Sequence, residues 1–148
     1  MLRFHKLKQA DLTLTDWPAE PLSALLPDGA DFFEKSLHEG NTVFVLFDEQ
    51  KPVGLLEMLA EPVGEKPACA VVSNVLMLPD YRRHGLGRML MCLAAGEAAE
   101  RRLWFLAGAV PETKEAMGFA DAIHFRKTEW LEDMLILDLS DVEGLRHG

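Results

Sequence analysis

The sequence predicts a mixed α/β domain built on one sheet, and three neighbouring segments carry this prediction. Residues 69–78 form a valine-rich apolar run, as expected of a strand covered on both faces. Apolar residues then recur at helical spacing from Leu86 to about Arg101. A second short apolar run follows at 103–106. Strand, helix and strand together form a right-handed βαβ unit within a mixed sheet.

Five elements are predicted before this unit. They are a strand at 2–7, two short helices within 16–38, and two strands of a hairpin at 41–47 and 52–60. Pro27-Asp28-Gly29 separates the two helices, and Asp31 is expected to be the N-cap of the second. Two prolines and a glycine make 61–67 a loop.

Three elements are predicted after the unit. A short helix at 111–117 has Pro111 in its first turn and ends at Gly118. Two strands follow near 122–128 and 133–139, and the polar tail from Asp141 is expected to fray. The order is therefore β-α-α-β-β-β-α-β-α-β-β, and we expect one domain over residues 1–148.

Composition restricts the class of partner. The chain has 148 residues, of which 49% are hydrophobic and 26% charged, enough to bury a core without metal or disulfides. The formal net charge of -9 argues against nucleic acid or an anionic membrane as the main partner. A small anionic ligand at one local basic site remains compatible with this charge.

The compartment is predicted from targeting features and cysteines. Residues 1–6 lack the apolar core of a signal peptide, and no apolar run approaches the roughly 20 residues of a membrane span. Cys69 and Cys92 lie in apolar stretches without metal-ligand spacing, and the histidines are far apart in sequence. We therefore expect a cytoplasmic protein with no membrane partner and no metal.

The segment from Leu76 to Arg88 is the most informative for chemistry. A buried strand ends there, a basic loop turns, and a helix begins with Gly85 and Gly87 around its first turn. First-turn amides have no intrahelical acceptor, the helix dipole favours anions there, and glycine allows close approach. The segment thus predicts a phosphate cradle. Five basic residues lie on or beside this helix: Arg82, Arg83, Arg88, Arg101 and Arg102.

Two common phosphate-binding motifs are excluded. A P-loop needs Gly-Lys-Ser or Gly-Lys-Thr, whereas this chain has Gly87-Arg88-Met89. The dinucleotide fingerprint needs a third glycine where Leu90 stands. A different nucleotide-binding α/β protein is therefore disfavoured.

The remaining pattern, Arg82-x-x-Gly85-x-Gly87, resembles the Gln/Arg-x-x-Gly-x-Gly/Ala acetyl-CoA signature of the GNAT N-acetyltransferase superfamily. The preceding run from Val75 resembles that family's fourth strand, and Met117-Gly118-Phe119 resembles its Leu-Gly-Phe element. The resemblance implies the GNAT acyl-CoA N-acyltransferase fold. It further implies an acyltransferase that moves the acetyl group of acetyl-CoA to a primary amine, with the amine attacking the thioester directly. It also implies a homodimer, as is common in the family.

The resemblance also assigns the coenzyme site. The CoA pyrophosphate would lie on the loop amides, and pantetheine would bond the backbone of Leu76 and Leu78 like an added strand. The thioester would lie where the fourth and fifth strands splay apart, with an amide near Leu76 polarising its carbonyl. The implied cofactor-binding residues are Leu76, Met77, Leu78, Arg82, Arg83, His84, Gly85, Leu86, Gly87 and Arg88.

The proton-transfer groups depart from the family pattern. The fourth-strand position that often holds a catalytic Glu holds Ser73 and Asn74, neither of which is a base at pH 7. Glu57 interrupts the apolar run 53–59 and is the candidate base; alternatively, it is a solvated residue on the third strand. Lys114 stands where family members often have a Tyr acid. The alternative function is a CoA-binding sensor or partner-binding module with reduced catalysis.

Aromatic residues leave the acceptor open. Trp17, Phe32 and Phe33 either line an acceptor pocket or belong to the core, and core is favoured. Trp104 and Phe105 are expected in the core. The acceptor is a small-molecule or peptide amine whose identity the sequence does not reveal.

Overall fold

The computed structural model describes residues 1–8, 29–65, 67–82, 84–131 and 133–141. Trp17, Arg83, the first of the two predicted helices and the tail from 142 lie outside these ranges. The elements are β1 (Leu2–Leu7), α1 (Gly29–His38), β2 (Thr42–Asp48), β3 (Lys51–Met58), β4 (Cys69–Met77), α2 (Leu86–Glu100), β5 (Phe105–Ala109), α3 (Lys114–Ala122), β6 (Arg126–Lys127) and β7 (Met134–Asp138), with 3-10 turns at Pro79–Tyr81 and Leu139–Asp141.

The strands form one mixed sheet in the order β1-β2-β3-β4-β5-β7-β6. β4 and β5 pair in parallel, and the other neighbouring strands pair antiparallel. A parallel pair needs a crossover connection, which α2 provides. The mixed α/β fold class and the βαβ unit are therefore confirmed.

Helices pack on both faces of this sheet. Leu56 of β3 packs with Leu90 of α2 in the larger cluster, whereas Leu55 packs with Leu37 of α1 in the other. Successive strand residues point to opposite faces, so β3 contributes to both clusters. Phe32 packs against the α1 cluster, whereas the side chain of Phe33 is outside the described residues. None of the helices in the described ranges is long and apolar enough to span a membrane.

Two predicted helix boundaries are wrong. α1 begins at Gly29, so Asp31 lies in its first turn, where an acidic side chain favours the helix dipole, and is not the cap. α3 begins after Thr113, whose Oγ1 accepts the amide of Ala116 at 3.1 Å, and runs through Gly118 to Ala122. A glycine inside a helix costs about 1 kcal/mol, which the capped and packed α3 tolerates.

The core prediction for Trp104 is also wrong. Its side chain is 73% exposed, because β5 begins only at Phe105 and Trp104 precedes the paired residues. Phe105 is half-buried and meets the ring of Trp130 edge to face at 5.4 Å.

Arg101 belongs to the framework and not to the predicted cradle. It lies at the C-terminal end of α2, where its guanidinium donates to the Leu59 carbonyl at 2.9 Å and to Thr42 Oγ1 at 3.0 Å. Its Nε also donates to Glu97 at 3.3 Å. The helix is thereby tied to β2 and to the end of β3. The positive charge of Arg101 takes part in these contacts, far from Gly85 in sequence.

Glu97 joins β1 to the same helix. Its buried carboxylate pairs with Lys6 of β1 and, at 3.2 Å, with Lys8. Burial raises the pKa of Glu97, but the hydrogen bonds and charges of Lys6 and Lys8 outweigh burial and hold it at about 2. Its stabilising contribution is therefore complete above the ordinary value of 4.5 and is lost as the pH falls towards 2.

We expect Glu97→Gln to lower the free energy of unfolding at pH 7 by about 1–2 kcal/mol, since both lysines remain partly in water. The variant should also lose less stability than the wild type between pH 5 and pH 2. Urea unfolding across this range measures both effects. Parallel pH curves for the two proteins would contradict this role of Glu97.

Candidate functional site

A cleft opens where β4 and β5 separate. The two strands pair from Cys69 and Phe105 as far as Val72 and Gly108, and β4 then continues alone on that side to Met77. The cleft has a volume of about 660 Å³. Residues from β4, α2, α3 and the last strands line it, among them Ser73, Asn74, Leu76, Gly87, Phe119 and Leu135. The structure therefore has the splayed strand pair that the resemblance to the GNAT superfamily implies.

The residues of β4 whose backbone groups face the cleft are shifted by one position from the expected Leu76 and Leu78. The amide of Leu78 donates to the carbonyl of Val53 on β3 at 2.8 Å, so the prediction that it bonds pantetheine is wrong. Hydrogen-bonded and non-bonded pairs alternate along an antiparallel ladder, so the backbone of Leu76 also faces β3. Val75 and Met77 are then the residues whose backbone groups face the cleft.

The glycine loop meets the cleft at the start of α2. Gly85 is the helix N-cap with φ 76°, a left-handed conformation that favours glycine, and no side chain caps the helix. The first-turn amides of Leu86, Gly87 and Arg88 therefore lack intrahelical acceptors. A Cβ on Gly87 would lie 3.0 Å from the ring of Phe119, closer than an ordinary van der Waals contact, so a side chain here would require that ring to shift.

The other predicted loop residues have different surroundings. Arg82 is exposed, and its Nε donates to the Met77 carbonyl at 3.0 Å, which ties the loop to the end of β4. His84 is exposed and Arg88 is half-buried, whereas the side chain of Leu86 is buried. Arg83 lies outside the described residues. The basic side chains that the structure places near this loop are thus Arg82, His84 and Arg88.

Glu57 lies on the α1 face of the sheet and is only 6% exposed. Its Oε2 accepts a hydrogen bond from Ser36 of α1, and its Oε1 accepts bonds from Ser73 and, at 2.9 Å, from Asn74 Nδ2. The alternative of a solvated glutamate is therefore wrong. Among the described residues no cation pairs with this carboxylate, and an unpaired buried carboxylate marks a functional candidate.

A β-bulge brings the three predicted catalytic candidates together. Glu57 is opposite Asn74, but its neighbour Met58 is opposite Val72, so Ser73 is an extra residue on β4. In a regular strand Ser73 and Asn74 would point to opposite faces, whereas a bulge redirects one of them. Both side chains therefore reach Oε1 of the same carboxylate. Sequence reasoning did not find Ser36, which no motif marks.

Tyr81 has a structural role. Its hydroxyl donates to Asp48 Oδ2 at 2.5 Å and so ties the turn before the cradle to the end of β2. This hydrogen bond raises the pKa of Tyr81 and lowers the pKa of Asp48. Lys114, at the position of the usual Tyr acid, is exposed at the start of α3.

Because Tyr81 is the chain's one tyrosine, its ionisation can be followed alone by ultraviolet absorbance. We expect its midpoint to lie above 10 in the folded protein and to fall towards 10 in Asp48→Asn. Asp80→Asn is the matched control and should change the midpoint less, because Asp80 acts on the phenol only through its charge. An unchanged midpoint in Asp48→Asn would exclude the hydrogen bond.

Metal ligation has no candidate in the described ranges. No group of three or more His, Cys, Asp or Glu side chains there could hold a metal ion.

Solved structures share this architecture. A point mutant of the AtaT toxin, bound to the C-terminus of the antitoxin AtaR and acetyl-CoA, superposes with a TM-score of 0.75 at 11% identity, covering 100% of this chain and 99% of that chain. The KacTA–DNA complex gives a TM-score of 0.68 at 13% identity, with 99% of both chains covered. A GNAT acetyltransferase of Streptococcus pneumoniae gives 0.59 at 23% identity, covering 86% of this chain and 89% of that one.

At these identities the likeness shows the fold alone. One neighbour is a complex with DNA, so the expectation that nucleic acid is not a partner stays a prediction, as do the homodimer and the cytoplasmic location.

No curated protein matches the sequence. The family model for acetyltransferases (GNAT) matches residues 6–125, which is most of the chain. The chain therefore belongs to the GNAT acetyltransferase family.

Proposed function

We propose that the protein is an N-acetyltransferase that moves the acetyl group of acetyl-CoA to a primary amine by direct attack. The observation that carries this proposal is the buried Glu57 carboxylate, hydrogen-bonded to Ser73 at the point where β4 and β5 separate. Acetyl-CoA, when bound, supplies the acetyl group as a thioester. The amine loses a proton as it attacks, so the reaction requires a base beside the cleft, and Glu57 fits this requirement.

The residues around the cleft fit such a co-substrate. Within the described ranges the backbone of Val75 and the amide of Met77 face the cleft without a strand partner, whereas the Met77 carbonyl accepts from Arg82. They can therefore pair with an extended arm, as the edge of a sheet does with an added strand. The same free amides are available to polarise a carbonyl in the cleft. The first-turn amides around Gly87 favour a pyrophosphate.

The proton reaches Glu57 through Ser73. Glu57 is buried, whereas Ser73 is exposed, lines the cleft and donates to Glu57 Oε1. As the amine nitrogen bonds the acetyl carbon, its proton passes to Ser73 Oγ, and the Ser73 hydroxyl proton passes to Glu57. The tetrahedral intermediate then expels the thiolate, which takes a proton from water, since Tyr81 is held by Asp48.

The coenzyme site is tested by Gly87→Val. We expect acetyl-CoA to bind the wild type in titration calorimetry, and to bind the variant at least tenfold more weakly, because the new side chain meets the Phe119 ring. Gly96→Ala is the matched control on the same helix. Nothing lies within 4 Å of its added Cβ, so affinity should not change. Equal affinity in all three proteins would contradict the cradle, and no binding to the wild type would contradict the function.

The base is tested by Glu57→Gln. We expect kcat to fall about 10²- to 10⁴-fold, with unchanged affinity for acetyl-CoA, because a buried amide cannot accept the proton. Ser73→Ala should also lower kcat without weakening acetyl-CoA binding. Thiol release is measured with polyamine, aminoglycoside and lysine-peptide acceptors. Wild-type kcat in Glu57→Gln would refute this role, and wild-type protein that binds acetyl-CoA but turns over none of these amines would favour the sensor.

A further inference from the structure

A chain of hydrogen bonds fixes the side of Glu57 that faces away from the cleft. The backbone amide of Ala60 donates to Asn41 Oδ1 at 2.8 Å. Asn41 Nδ2 donates to Ser36 Oγ at 3.3 Å, and Ser36 Oγ donates to Glu57 Oε2. The chain thus joins the segment after β3, the start of β2 and helix α1 to one carboxylate oxygen.

The direction of these bonds is determined by their first member. A backbone amide can only donate, so Asn41 presents its oxygen to Ala60 and its amino group to Ser36. Ser36 accepts that bond, which leaves its single hydroxyl hydrogen for Glu57. Every donor in the chain therefore points towards the carboxylate.

Burial isolates the chain from water. Ser36 is 3% exposed and Asn41 is 4% exposed, so water does not readily replace either partner. Hydrogen bonds to a charged group are about twice as strong as neutral ones. Each polar group in this chain has a partner, as a buried polar network requires.

We propose that Ser36 and Asn41 are positioning residues, which hold the Glu57 carboxylate with Oε1 turned towards Ser73. This inference rests on the proposed function, in which Glu57 is the base. The groups that contact its carboxylate from α1 and β4 are neutral: Ser36, Ser73 and Asn74. Within the described ranges neither these elements nor β2 places a titratable or charged group against it, so these donors stabilise the carboxylate.

The test is carbon-13 NMR of the glutamate carboxyl groups at pH 7, with the Glu57 signal assigned by its absence in Glu57→Gln. In Ser36→Ala we expect the chemical shift of the Glu57 carboxyl carbon to change, because one donor to the carboxylate is lost. In Asn41→Asp the new carboxylate attracts the Ser36 hydroxyl away from Glu57. We expect the Glu57 signal to move there too.

Thr42→Val is the matched control. Thr42 is buried beside Asn41 and accepts a hydrogen bond from Arg101, but it does not contact Glu57. We expect reduced stability with an unchanged Glu57 carboxyl signal. An unchanged signal in both Ser36→Ala and Asn41→Asp, or an equal change in Thr42→Val, would overturn the proposal.

Activity provides the second readout. In both variants kcat should fall while KM for acetyl-CoA stays constant, and Ser36→Thr, which keeps the hydroxyl donor, should retain kcat. The NMR measurement needs no turnover, so it separates the two proposals. A changed Glu57 signal with wild-type kcat in Glu57→Gln would refute the proposed base but retain the positioning. An unchanged signal with an inactive Glu57→Gln would do the reverse.

Discussion

The separation of β4 from β5 after Val72 and Gly108 is the constraint on which the site depends. Up to that pair the strands satisfy each other's backbone groups, and beyond it one edge of β4 has no strand partner among the residues that the structure describes. Backbone N–H and C=O groups need hydrogen-bond partners, so this edge favours an extended ligand or water. The bulge at Ser73 follows immediately and brings two consecutive side chains to one carboxylate.

Functional groups from both faces of the sheet contribute to the site at the cleft. On one face, α2 begins beside the cleft with amides that lack intrahelical acceptors and with a glycine packed closely against the Phe119 ring. On the other, α1 contributes Ser36 to the carboxylate of Glu57. In the proposed function the CoA pyrophosphate meets only the helix end at the start of α2, so the net charge of -9 does not exclude an anionic ligand. Arg101, counted towards that helix end from the sequence, instead stabilises the framework.

Sequence patterns predicted the parts of the site that depend on local order along the chain. The βαβ unit follows from apolar periodicity, and the cradle from glycine spacing before a helix. Glu57 was recognisable because a charge interrupts an apolar strand. Ser36 and Asn41 were not, because their roles depend on which residues α1 and β2 bring to that charge. The bulge was hidden for a related reason: register depends on pairing between strands, and no residue type in β4 marks the shift.

Amide exchange along β4 tests the account most directly. The register assigns the free amides to Val75 and Met77 and commits that of Leu76 to β3. The measurement is residue-resolved hydrogen exchange by NMR with and without acetyl-CoA. We predict that acetyl-CoA slows exchange at Val75 and Met77 and leaves Leu76 nearly unchanged. Unaltered exchange at Val75 and Met77, with acetyl-CoA shown to be bound, would contradict the account.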